Sequence, residues 1–326
     1  MLKQVKDLIS SRVSLAPMVG ITDYVLRSLV REHSSTCLLT TEMISSEALT
    51  QVKDPAIIAR EDNHTPISYQ LSGHKPQMIA DCAQYLQQYA DMIDINMGCP
   101  VNKVVKGTDG AALMRNPELA SEIVKTVSSQ ITIPLSVKFR LGYTADEMNY
   151  VEFGQKMQEA GASFITIHAR TRSQMYGGKA DWKKIAELKR NVDIPVFANG
   201  DVVSIETAIQ CLEESQADGV AIGRGALGDP SLISRIEKYL NKGEYLPAPT
   251  LEEKVETMKT HLLREIEFRG EDVGIKFVRK FYPYYINGFS GASKCRGALV
   301  TMDSKTEIIK LLDSIQLEAT KQNVLI

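Results

Sequence analysis

Residues 91 to 114 read DMIDINMGCPVNKVVKGTDGAALM. An apolar run stops at Gly98, and Cys99 follows, held between that glycine and Pro100. A thiol so placed has two chemical uses. An unperturbed cysteine has a pKa of about 8.5, so such a group is a ready proton donor to carbon at neutral pH. As a nucleophile it would need a base or a positive neighbour; no CxH pair is near, though His168 can approach through the fold. Cysteine is also a common buried filler. Its place just past a strand, between two stiffening neighbours, favours an aimed side chain.

Other reactive types sit at the ends of apolar runs: Gln70, Asn96, Lys138 with Arg140, His168 with Arg170 and Arg172, Asn199-Gly200-Asp201, and Gly223-Arg224. Singly they are weak signals. A lysine can snorkel, and a histidine can be a hydrogen-bonded structural residue. Six polar strand ends around one mouth are harder to explain as structure. ANGD and IGRG add glycines right after buried runs, where backbone N–H groups can hold a phosphate, and Arg224 offers a fork for its oxygens. The plainer alternative is two tight turns.

These residues need a scaffold. Eight short apolar runs recur, at 13–18, 37–43, 66–73, 91–98, 134–142, 163–170, 194–201 and 218–225. Between them lie stretches with helical spacing, including 77–90, 117–130, 148–161 and 204–215. Pro117 after Asn116 suits a helix start, and the glycine of EAGAS suits a helix end. This alternation predicts an α/β fold, a (β/α)8 TIM barrel. A doubly wound sheet is the rival, but no GxGxxG opens the chain. After residue 240 comes the Gly/Pro-bearing NKGEYLPAPT, then helical patterns only. We expect a barrel over 1–240 and a small all-α helical bundle over 241–326.

Composition narrows the class. With 44% hydrophobic and 24% charged residues the chain reads as globular. No apolar run approaches the ~18 residues of a membrane span, and the N-terminus lacks a secretory core. A cytoplasmic protein without a membrane partner or an obligate protein partner is the expectation. Five scattered cysteines without CxxC, and histidines without HxxxH or HExxH, argue against disulfides and against a metal. The net charge of −2 gives no global sign of nucleic acid, yet residues 273–300 hold five basic side chains and no acidic one. Lys276, Arg279 and Lys280 are therefore candidate phosphate contacts. Phe277, Phe281, Tyr284 and Tyr285 read as bundle core rather than as stacking platforms.

A phosphate site beside Lys138, Gln70 and Asn199 suits a flavin mononucleotide, whose reduced ring carries negative charge that a fixed lysine stabilises. A sugar phosphate would leave Lys138 and Cys99 unexplained.

The motifs APMVGITD, TEM, QLSG, DINMGCP, GTDGAALM, VKFRLG, IHARTR, ANGD and IGRGALGDP together resemble the flavin-dependent tRNA-dihydrouridine synthases, the bacterial B-type branch above all. The resemblance covers most of residues 12 to 240, and the helical tail also fits. It implies reduction of the C5=C6 bond of selected uridines in tRNA, with FMN as cofactor and NADPH as reductant. It places Pro17, Met18 and Val19 in a flavin-facing loop, with Gln70, Lys138 and His168 against the ring. It gives Asn199, Gly200, Asp201, Gly223 and Arg224 to the ribityl phosphate, Asn96 to the uracil, and to Cys99 the proton for C5. Arg140, Arg170 and Arg172, with Lys103 and Lys106, would extend a basic rim for tRNA. Thr108 and Asp109 depart from the more basic or small residues expected in a substrate-covering loop. A flavin barrel acting on a free small molecule, of dihydroorotate-dehydrogenase type, is the first alternative. A non-catalytic tRNA binder that keeps a flavin is the second.

Overall fold

The computed structural model describes residues 2–51 and 64–323. Eight parallel strands form one sheet: β1 Val13–Leu15, β2 Leu39–Ser45, β3 Ile67–Ser72, β4 Met92–Met97, β5 Leu135–Arg140, β6 Phe164–His168, β7 Val196–Asn199 and β8 Gly219–Ile222. Their order is β1-β8-β7-β6-β5-β4-β3-β2. The seam between β1 and β2 closes through one parallel bridge, Ser14 with Leu38, and the Leu15 N–H donates to the Leu38 carbonyl at 2.9 Å. The expected barrel is present, nearly closed. Its strands read as continuous apolar runs because helices cover one face and the interior the other. Ile95, Val137, Ile167 and Ala198 are fully buried against the helical layer.

Local signals behave as their chemistry requires. The Asn116 side chain accepts from the Leu119 N–H and starts helix Pro117–Ser128. Gly161 follows helix Tyr150–Glu159 with φ at 112°, and a Cβ there would lie 2.6 Å from Ser128 Oγ. Only glycine fits that bend.

One end of the barrel is plugged. Val5, from helix Leu2–Leu8, joins Leu38, Met92, Phe164 and Phe197 in a buried cluster. Above it the interior turns polar, with Ser68, Asp94, Ser136 and Thr166 all buried. The cavity therefore opens at the C-terminal ends of the strands.

The expected division at residue 240 falls inside helix Leu232–Lys242, and regular structure breaks just after it, over 243–250. Helices Leu251–Arg269, Glu271–Val278, Tyr282–Tyr285, Ala292–Leu299 and Lys305–Asn323 follow. The helical pattern after Glu271 is interrupted, because Pro283 lacks the N–H that would continue it and instead sits in the first turn of Tyr282–Tyr285. Val255, Leu262, Phe281, Tyr282, Tyr285 and Leu312 form the bundle core, which also takes in Leu26 and Leu227 from the barrel. Among the described residues no helix is long and apolar enough to cross a membrane, and no three His, Cys, Asp or Glu side chains cluster as metal ligands.

Candidate active site

Beyond β4 the chain makes a turn held by side-chain and backbone hydrogen bonds. Asn96 Oδ1 accepts from the N–H of Gly98 at 3.2 Å and of Cys99 at 2.9 Å. The Cys99 carbonyl accepts from the Ala111 N–H at 3.1 Å. Gly110, with φ at 60°, lets the returning loop approach; a Cβ there would lie 2.8 Å from the Cys99 oxygen. Further along the loop Asp109 meets His74 Nδ1 at 2.8 Å, so this departure from the family pattern anchors the loop to the end of β3. The side chains of Lys103 and Lys106 lie outside the described ones. With its backbone held at both ends, Cys99 lines a cavity of about 720 Å³ at the barrel mouth.

Four cationic side chains, Lys138, Arg140, Arg170 and Arg224, stand among the apolar and polar residues of the cavity wall. On β5, Lys138 Nζ donates to Asn199 Oδ1 at 3.1 Å, and Asn199 Nδ2 donates to the Ala221 carbonyl at 2.8 Å, which fixes that amide's orientation. Burial, then the Arg140 guanidinium, bring the Lys138 ammonium from 10.5 down to about 8. His168 is pushed well below its usual value by burial and by Arg140, Lys138, Arg170 and Arg224, so its ring is neutral at pH 7. Pro17, Met18, Val19 and Gln70 line the same cavity, as do Gly200, Asp201, Gly223 and Arg224.

Two expectations for a basic rim need correction. Arg140 and Arg170 are each only 2% exposed. Arg140 donates to the carbonyls of Gly98 at 2.8 Å, Thr171 at 3.0 Å and Met175 at 2.8 Å. Arg170 donates to Asp201 at 2.7 Å and to the carbonyls of Gly177 and Gly178. Buried guanidinium groups need such partners, and these tie together the loops after β4, β6 and β7. Asp201, with φ at 56°, has its carboxylate committed to Arg170 and the Ala180 N–H. Its side chain supports the wall, and one of its oxygens lies 3.8 Å from the Arg224 guanidinium. Asn96, assigned to a base, spends its oxygen on the turn and one N–H on Gln70 Oε1 at 2.8 Å.

The sequence matches the family model for dihydrouridine synthase (Dus) over residues 14–324. The chain belongs to the dihydrouridine synthase family. It is 43% identical over 305 residues to a probable tRNA-dihydrouridine synthase 1 of Synechocystis sp., covering 93% of this chain and 86% of the relative. It is 36% identical over 289 residues to tRNA-dihydrouridine synthase B of Pseudomonas aeruginosa, covering 88% and 87%. Among solved structures it shares a fold with a 2-naphthoyl-CoA reductase complex, at TM-score 0.53 and 12% identity over 80% of this chain and 51% of that one.

In this dihydrouridine synthase family member the remaining candidates lie outside the cavity. Arg172 donates to Asn102 and its guanidinium lies 5.2 Å from the Tyr143 ring centre. Arg279 donates to the Met302 carbonyl at 3.1 Å and to Asp303 at 2.6 Å. Lys280 donates to the Gly20 carbonyl and sits 3.1 Å from the Phe277 ring centre. Of the three bundle cations singled out, Lys276 alone is exposed without such a commitment. Tyr176 escaped the sequence reading, and Tyr284, read there as bundle core, is 37% exposed. Tyr176 lies between guanidiniums, 5.6 Å from Arg140 and 5.5 Å from Arg224. Tyr284 reaches the mouth from the bundle. Tyr176 sits in an irregular loop with no periodic signal. Tyr284 sits in YPYY, where spacing alone does not show which ring faces out; Tyr282 and Tyr285 are the buried ones.

Proposed function

We propose that the protein is a flavin-dependent tRNA-dihydrouridine synthase. It binds FMN, takes electrons from NADPH, and reduces the C5=C6 bond of selected uridines in tRNA, with Cys99 as proton donor to C5. One observation carries the reading: Cys99, on a pinned turn, lines one cavity with Lys138, Arg224 and the backbone of Gly200 and Gly223.

The residues fit a flavin mononucleotide. A Cβ at Gly223 would meet nothing nearer than Met18 sulfur at 3.6 Å, so its missing side chain leaves room rather than relieving a clash. The turn Arg224–Ala226 has no side-chain cap, which suits an anion accepting from its backbone. Gly200, Gly223 and Arg224 would hold the phosphate. Pro17, Met18, Val19, Gln70, Lys138 and His168 would surround the ring. Asn199 acts by aiming Lys138 and Asp201 by holding Arg170. Lys138, lowered only to about 8, is still mostly charged at pH 7 and meets negative charge there.

Bound and reduced, the flavin supplies the hydride received by C6. The thiol of Cys99 gives its proton to C5, and the thiolate left behind faces the positive charges of Lys138 and Arg140. Asn96 retains one amide N–H for the base. The uridine must leave its stack to reach a cavity enclosed this way. Tyr176 and Tyr284 at the mouth offer ring faces to neighbouring nucleotides. The barrel, over 1–240, is read as the catalytic part, and the bundle, over 241–326, as the tRNA-binding part, with exposed Lys276 toward phosphate. Cytoplasmic residence follows from the substrate class.

Two measurements test this. The purified protein should bind FMN, and failure to reconstitute with it overturns the cofactor assignment. Cys99→Ala should keep FMN and tRNA binding but lose most dihydrouridine formation in a single turnover. Unchanged formation would remove Cys99 from the reaction.

A further inference from the structure

Asp94 lies buried inside the barrel. It stands two residues before Asn96 on β4, so both side chains enter the barrel. Gln70 on β3, in register with Asp94, lies between them. Gln70 Nε2 donates to Asp94 Oδ2 at 2.6 Å, and Gln70 Oε1 accepts from Asn96 Nδ2 at 2.8 Å. Asn96 Oδ1 then receives the N–H groups of Gly98 and Cys99. The other Asp94 oxygen accepts from Ser136 Oγ at 2.5 Å. Asp94, Gln70 and Asn96 are all buried.

The order of donors and acceptors matters. A side-chain amide can turn over and exchange its oxygen with its nitrogen, whereas an ionised carboxylate only accepts. Burial raises the Asp94 carboxyl above its usual value, and Gln70, Ser136 and Lys138 oppose that rise; accepting at both oxygens, Asp94 holds Gln70 with its nitrogen inward and its oxygen toward Asn96. That oxygen in turn holds Asn96 with its nitrogen toward Gln70 and its oxygen toward the turn. With Asn96 reversed, an NH₂ would face two backbone N–H groups, and a buried unmade hydrogen bond is costly.

We propose that Asp94 is a positioning residue for the Cys99 thiol, acting through the Gln70 and Asn96 amides to fix the Gly98–Cys99 turn. The inference rests on the reading of Cys99 as proton donor. It predicts separable behaviour for two substitutions. Asp94→Leu removes the acceptor with a side chain of the same branching and releases both amides. Asp94→Asn keeps an oxygen for Gln70, because its new NH₂ can turn to Ser136 Oγ, which has the Ile93 carbonyl at 3.4 Å to donate to.

The test is hydrogen exchange on the FMN-loaded protein, with single-turnover uridine reduction beside it. In Asp94→Leu the amides of Gly98 and Cys99 should exchange about fivefold faster, and reduction should slow by about the same factor, as loss of a hydrogen bond worth about 1 kcal/mol implies. Asp94→Asn should restore both. Exchange at residues 98 and 99 unchanged in folded Asp94→Leu overturns the proposal. So does faster exchange spread evenly along β3 and β4, or an Asp94→Asn no better than the leucine. Should Asp94→Leu not fold, Asp94→Asn with Ser136→Ala decides, since removing the hydroxyl leaves the new amide free to reverse. Cys99→Ala separates the two readings. Turnover retained there removes the thiol's role, and with it the purpose assigned to Asp94. Turnover lost there, with Asp94→Leu like the wild type, overturns the relay alone.

Discussion

Replacing Lys138 with methionine should change how the stability of the flavin-free protein depends on pH. The ammonium falls from 10.5 to about 8 on folding, first through burial and then through Arg140. The unfolded chain thus keeps its proton over a range where the folded chain has released it. Stability rises with pH wherever the unfolded state binds more protons. Below about pH 8 both states are charged, and the folded protein carries the full cost of the buried cation. From pH 8 to pH 9.5 that cost is relieved at about 1.4 kcal/mol per pH unit, or about 2 kcal/mol in all. The wild type should gain that amount relative to Lys138→Met, in urea unfolding at matched pH from 6.5 to 9.5. Adding FMN should move the rising limb of the wild type to higher pH, because a bound anion favours the charged lysine. Parallel curves for the two proteins would refute the argument that Lys138 is held at a cost for an anionic ligand. A limb that does not move with FMN would refute the ligand half of it.

Arg224→Ala should weaken FMN binding by about 1.5–3 kcal/mol, the usual worth of a hydrogen bond to a charged group, read by flavin fluorescence titration; an unchanged Kd would remove Arg224 from the phosphate site. Lys276→Glu should weaken tRNA binding and reduce the slope of log K against log salt by about one. Arg279→Gln should instead lower Tm, because it breaks the bonds to Met302 and Asp303 while leaving the salt slope nearly unaltered.

The barrel was legible because strands buried on both faces read as unbroken apolar runs, and because glycine and proline mark their ends. β1 is shorter than its apolar run, since only Val13–Leu15 are paired and the run continues into the loop at Pro17. Cys99, Lys138 and the glycines after β7 and β8 were legible from their place at strand ends. What those neighbours do for one another was not. Asn96 contacting the turn, and Asp94 behind Gln70, depend on which side chains of β3 and β4 meet inside the barrel. The acid-free stretch 273–300 misled for a related reason. Arg279 finds its acid in Asp303, just beyond the window, and Lys280 finds a carbonyl at Gly20, far away in sequence. Arg140 and Arg170 looked like surface charge, because sequence does not reveal the carbonyls that solvate them.

The shared core around Leu26 and Leu227 bears on how such enzymes can be recombined. Cutting at residues 243–250 and fitting the bundle of a relative would uncover both leucines. It would also part Arg269 from Asp23, a carboxyl already raised to about 6 by burial, and Lys280 from the Gly20 peptide of the loop lining the cavity. A graft that respects the packing would have to carry helix Tyr24–His33 and the turn at Leu227 along with the bundle. The exchangeable unit is therefore discontinuous in the chain, and a change in the bundle reaches the loop lining the cavity through the same few side chains.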